Sequence, residues 1–106
     1  MAIVDITIFP MGTGSTSASH YIAEIEKVLE QERGRVKIQL TPMSTIIEGD
    51  IHDLFEIVEK LHEVPFEHGI KRVETNIRID DRRDKKLTME GKLASVAEKM
   101  QKKRPE

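Results

Sequence analysis

Apolar and polar residues alternate from Ala2 to Phe9, with Val4, Ile6 and Ile8 on one face and Asp5 and Thr7 on the other. That period of two predicts a half-buried strand. Pro10 lacks a backbone donor and ends it. After a Gly/Ser/Thr loop from Met11 to Ser19, Tyr21, Ile22, Ile25, Val28 and Leu29 recur at helical spacing. Glu24, Glu26, Lys27 and Glu30 lie between them, so this is an amphipathic helix whose charged outer face meets water. Ser17 is its expected N-cap and Gly34 its C-terminal stop.

Val36, Ile38 and Leu40 alternate with Lys37, Gln39 and Thr41 in a second strand; Pro42 interrupts it, and Ser44 to Glu48 forms a third. Asp50 is the expected cap of a second helix, with Asp53 completing a capping box. Ile51, Leu54, Phe55, Val58 and Leu61 are its apolar stripe, and Pro65 should end or kink it. A fourth strand runs from about Arg72 to Asp80, with Val73, Thr75, Ile77 and Ile79 facing one way and Glu74, Asn76 and Arg78 the other. Beyond the charged stretch from Asp81 to Lys86, Thr88 caps a last helix striped by Met89, Leu93, Val96, Ala97 and Met100.

The order βαββαβ plus a C-terminal helix is met most simply by a ferredoxin-like α+β sandwich, a four-stranded antiparallel sheet with both main helices on one side. Residues 1–100 are expected to form that single domain, and 101–106 a frayed tail. The other sheet face would carry Asp5, Thr7, Lys37, Gln39, Glu74, Asn76 and Arg78. An oligomer is expected to cover it with the last helix helping; the alternative is that this helix folds back on its own sheet.

Composition narrows the functions. In 106 residues, 17 basic and 19 acidic side chains leave a net charge of −2, without the basic excess of a nucleic-acid binder. Ferredoxin-like RNA binders stack bases on aromatic residues of the central strands, where this chain has only Phe9. The absence of cysteine excludes disulfides, thiol catalysis and thiolate metal sites. No apolar run approaches a membrane span, so a cytoplasmic protein without membrane contact is expected.

Candidate chemistry is sparse. The loop Gly12-Thr13-Gly14-Ser15-Thr16-Ser17 is either a capped connector or an anion cradle at a helix N-terminus. The histidines at 20, 52, 62 and 68 have no metal-ligand spacing, and no nucleophile–base pair can be assembled, so neither metal, cofactor nor catalytic residue is expected. Arg82 and Arg83 are solvated turn residues or forks for an anion. Glu48, beside Gly49, could hold a cationic or amine-bearing group, or be an ordinary rim charge.

Four blocks carry a resemblance: Pro10-Met-Gly-Thr-Gly-Ser-Thr-Ser17, Leu40-Thr-Pro-Met-Ser-Thr-Ile-Ile-Glu-Gly-Asp50, Asp80-Asp-Arg-Arg-Asp-Lys85 and Thr88-Met-Glu-Gly-Lys92. Together they resemble the MTH1187/YkoF-like thiamine-binding family over residues 1 to about 100, and its archaeal members in particular. The resemblance implies a ferredoxin-like subunit that assembles into dimers and tetramers and binds thiamine or its hydroxymethylpyrimidine part without catalysis. It carries ligand contacts to Thr13, Ser15 and Ser17 of the first loop and to Thr41, Met43, Thr45 and Glu48 of the second block. Glu48 would stabilise a thiazolium cation, and Asn76, on the polar sheet face, is added on chemical grounds. The alternative is a regulatory oligomer sensing phosphate or sulfate through Gly12–Ser17 with Arg82 and Arg83.

Overall fold

Each alternating strand finds its partners in one antiparallel sheet. The computed structural model describes residues 1–14 and 19–101. In chain order these form β1 (Ala2–Pro10), α1 (Ser19–Glu30), β2 (Lys37–Leu40), β3 (Thr45–Gly49), α2 (Ile51–Glu67), β4 (Val73–Asp81) and α3 (Met89–Gln101). The strand order is β2-β3-β1-β4. Every neighbouring pair is antiparallel. This is the ferredoxin-like α+β fold with an added C-terminal helix.

Directly paired residues of an antiparallel ladder share a face. Val4 pairs with Ile47 and Ile79, and Ile6 with Thr45 and Ile77, which defines the face covered by α1 and α2. Ala2, Val4, Ile6 and Ile47 meet Ile25 and Leu29 of α1 and Leu54, Ile57 and Leu61 of α2 there. The opposite face carries Ile3, Asp5, Ile46, Glu48, Arg78 and Asp80. Its Ile3 and Ile46 form a small second cluster with Leu87 and Met89 at the start of α3.

The first turns of α3 thus cross the open face. Lys37 Nζ on β2 lies 3.0 Å from Glu90 Oε1, and Lys92 Nζ lies 2.6 Å from Asp80 Oδ2 on β4. Further along, Leu93, Val96 and Met100 are 64%, 56% and 78% exposed. The helix folds back at its N-terminal end and leaves most of its apolar stripe without a partner among the described residues.

Local differences from the sequence reading have local causes. Helix α1 ends at Glu30, ahead of Gly34, and continues as turns in which Glu32 N–H donates to Leu29 O at 2.8 Å. Asp50 occupies the N-cap position of α2 without a side-chain capping bond, and Asp53 accepts from Arg35 instead. Pro65 lies inside the last turn of α2, where it lacks the donor that would reach the Leu61 carbonyl, and the helix ends two residues later at Glu67. The helix ends just before Gly69, whose φ of 86° is a conformation that favours glycine. Thr88 caps α3 as expected, its Oγ1 accepting from Gly91 N–H at 2.8 Å. The expected cap at Ser17 and the tail beyond Gln101 lie outside the described residues.

Candidate functional site

The β2–β3 connection closes on Thr41. Its N–H donates to Ser44 O at 2.9 Å, and its hydroxyl donates to the same carbonyl at 2.8 Å. That hydroxyl also accepts from Ser44 N–H at 3.0 Å and Met43 N–H at 3.3 Å. The turn is fixed by Thr41 itself, and it carries Met43 outward, 84% exposed. Between it and α1 lies a cleft of about 110 Å³ walled by apolar Ile8, Phe9, Ile22 and Leu40, with Thr45 and Glu26 among its polar groups.

Glu26 is the ionisable residue of that cleft. It follows Ile22 by four positions, so it flanks the apolar stripe of α1 and does not oppose it. Thr45 Oγ1 donates to Glu26 Oε2 at 3.3 Å. Burial pushes the Glu26 carboxyl above the usual glutamate range; the Thr45 hydroxyl pulls it back in part, and the negative charge of Glu30 adds to the rise. Oε1 has no hydrogen-bond partner among the described residues. The sequence reading placed Glu26 on the charged outer face, and the four-residue step from Ile22 was the signal that could have found it.

Met43 also borders a shallow depression of about 440 Å³ on the other sheet face, with Asp5, Thr7, Ser44, Asn76 and Arg78. Asn76 donates to Glu74 Oε1 at 3.4 Å. Arg78 pairs with Asp5, and that hydrogen bond, with a second from Ser44, holds the Asp5 carboxyl below its ordinary range. Towards α3 this face deepens into a groove of about 390 Å³ over Ile3, Ile46, Met89 and Leu93.

The structure gathers Thr41, Met43 and Thr45, and it separates the other expected contacts. Asn76 lines the depression on the other face, which shares Thr7, Met43 and Ser44 with the cleft. Thr13 is half-buried beyond Pro10, while Ser15 and Ser17 lie outside the described residues. Glu48 pairs with Ile3, seven residues before Pro10, so roughly 23 Å of strand divides it from the first loop. It also faces away from Thr45. Arg82 and Arg83 follow β4 at the Ala2 end of β1, so the two halves of an anion site lie at opposite ends of that strand. Both guanidinium groups already grip own-chain carboxylates: Arg82 reaches Asp84 at 2.6 and 3.0 Å, and Arg83 reaches Asp81 at 2.7 and 3.1 Å.

Glu48 is 1% exposed, which is not the setting of a rim charge. Its Oε1 accepts from Met89 N–H at 2.7 Å, and its Oε2 lies 3.9 Å from Lys37 Nζ. A carboxylate at a helix N-terminus satisfies an orphan donor and complements the helix dipole. Glu48 thereby fastens α3 to the sheet. Glu48→Ala is expected to cost about 1–3 kcal/mol in urea denaturation, because Met89 N–H loses its acceptor in a buried position. Faster hydrogen exchange at Met89 would accompany the loss. Unchanged stability with weakened ligand binding would return Glu48 to the ligand role read from the sequence.

Among the described residues no group of three or more His, Asp or Glu is arranged to hold a metal, and no helix is long and apolar enough to cross a membrane. His62 Nδ1 bonds Thr75 Oγ1 at 2.6 Å, and the His20, Tyr21 and His68 rings meet edge to face.

Residues 4–97 match the family model described as thiamine-binding protein. The chain is 54% identical over 103 residues to the UPF0045 protein YqgV of Bacillus subtilis, covering 95% of this chain and 99% of that one. It is 37% identical over 101 residues to a UPF0045 protein of the archaeon Methanothermobacter thermautotrophicus, covering 94% and 100%. Likeness is therefore higher to this bacterial relative than to this archaeal one. Among solved structures, a hypothetical protein of Methanocaldococcus jannaschii superposes with a TM-score of 0.77 at 28% identity, covering 92% of this chain and 96% of that one. A Thermotoga maritima protein named for thiamine biosynthesis or salvage has the same fold, with a TM-score of 0.73 at 20% identity and coverages of 90% and 97%.

Proposed function

The chain belongs to the thiamine-binding protein family, and from that premise we propose that it binds thiamine or a hydroxymethylpyrimidine-type precursor, without bond-making chemistry, in the cleft between α1 and the β2–β3 turn. One observation carries the location: Thr41, Met43 and Thr45 converge on this apolar-walled space. Apolar walls with a few convergent polar groups are the usual make-up of a small-molecule site. About 110 Å³ suits a single substituted heterocycle, so the pyrimidine would enter and the thiazolium ring of thiamine would lie outward over Met43.

The Thr41 and Thr45 hydroxyls support the ligand indirectly, one by shaping the turn and the other by holding Glu26. The same proposal has the protein acting in the cytoplasm as dimers and tetramers, with α3 and the open sheet face in the subunit contacts. The unpartnered Leu93, Val96 and Met100 support that assembly. Calorimetric titration with thiamine and with hydroxymethylpyrimidine tests the ligand assignment. Saturable heat is expected for the pyrimidine at least; no heat from either at millimolar concentration would overturn it.

A further inference from the structure

We propose that Glu26 is the specificity-determining residue of the cleft, its carboxyl gripping the edge of an aminopyrimidine through two hydrogen bonds, one to the exocyclic amine and one to the adjacent ring nitrogen. The inference rests on the ligand class proposed above and adds the group that reads it. Of the hydroxyls lining the cleft, those of Thr41 and Thr45 are engaged within the protein, Thr41 in its turn and Thr45 on Glu26. Glu26 keeps Oε1 without a partner among the described residues, while the Thr45 hydroxyl donates to Oε2 at 3.3 Å. The apolar walls of Ile8, Phe9, Ile22 and Leu40 leave the carboxyl partly desolvated, which strengthens a hydrogen bond made there.

An aminopyrimidine edge offers a donor, the amine, beside an acceptor, the ring nitrogen. A carboxylic acid offers an acceptor beside a donor in the complementary order. The pair holds one proton between oxygen and nitrogen, whether it is drawn as neutral acid with neutral ring or as carboxylate with protonated ring. Burial already shifts the Glu26 carboxyl towards its protonated form in the free protein. No other titratable side chain lines the cleft among the described residues; from β1, β2 and β3 it is faced by Thr7, Thr41, Ser44 and Thr45 and by apolar groups. Glu30, one turn further along α1, is the charged group whose field reaches Glu26.

The sign of the pH dependence follows. Above the titrations of both the free carboxyl and the free ring nitrogen, binding must take up one proton, so affinity falls by up to tenfold per pH unit as pH rises. Glutamine presents an acceptor and a donor at every pH, so Glu26→Gln is expected to flatten that alkaline slope, while Glu26→Ala weakens binding more than tenfold. A second measurement uses the unaltered protein: hydroxymethylpyrimidine with hydrogen in place of its amine is expected to bind more than tenfold more weakly. Calorimetry across pH, in buffers of different ionisation heat, reads both the affinity and the proton uptake. If the aminopyrimidine binds and neither the Glu26 variants nor the missing amine changes its affinity, the role of Glu26 is overturned while the ligand class stands. If the wild type binds no pyrimidine at all, the ligand class falls and this inference with it.

Discussion

Leu61→Ala is expected to lower the unfolding free energy by about 2–5 kcal/mol, read as a shift of the urea midpoint. Leu61 is fully buried on α2, in the cluster that joins α1, α2 and the covered sheet face. Its neighbours Leu54 and Ile57 are buried as completely, so the lost volume would be filled only in part. A domain of this size is typically stable by only about 5–15 kcal/mol, so the variant should unfold well below the wild type. The same truncation at exposed Leu93 should change the stability of a subunit by no more than about 0.5 kcal/mol. A loss below about 1 kcal/mol for Leu61→Ala would show that α2 is not seated on the sheet in this way.

Leu93→Asp combined with Val96→Asp is expected to convert the proposed oligomer to monomers while leaving the far-ultraviolet circular dichroism unchanged. The two positions are exposed on one stripe of α3 with Met100, so the charges meet water in a free subunit. In a symmetric contact each substitution acts twice. Burial of a Leu or Val side chain is worth about 1.5–3 kcal/mol, so the double variant loses roughly 6 kcal/mol or more per dimer, about 10⁴-fold in dissociation constant. Light scattering on wild type and variant reads the outcome. A monomeric wild type would remove the assembly from the proposal, and an unaffected oligomer would place the contact elsewhere on the subunit.

The site was less legible than the fold because a ligand cleft depends on residues distant in sequence. Thr41, Met43 and Thr45 lie within one short block and could be read together. Glu26 joins them only because α1 crosses the sheet beside the β2–β3 turn, and Thr45 meets it across nineteen positions of chain. Glu48 reads locally as a strand-end charge beside a glycine. Its role is set forty-one residues away, where Met89 N–H points at it. The arginine forks likewise read locally as anion ligands, and in the fold Asp81 and Asp84 occupy them.

The sequence by itself determined the strands, the helices and their order, because each element declares its buried face through a period of two or of about 3.6 residues. With a balanced charge and no cysteine, it also removed whole classes of chemistry. The tertiary structure decided which polar groups are free to meet a ligand. It buried Glu48 against the start of α3, turned Thr41 inward on its own turn, and brought Glu26 into an apolar cleft with one oxygen unengaged. Periodicity reports which side of an element faces the core. Whether a carboxyl there is satisfied, desolvated or available depends on what the rest of the chain sets against it, and that is a property of the packed molecule.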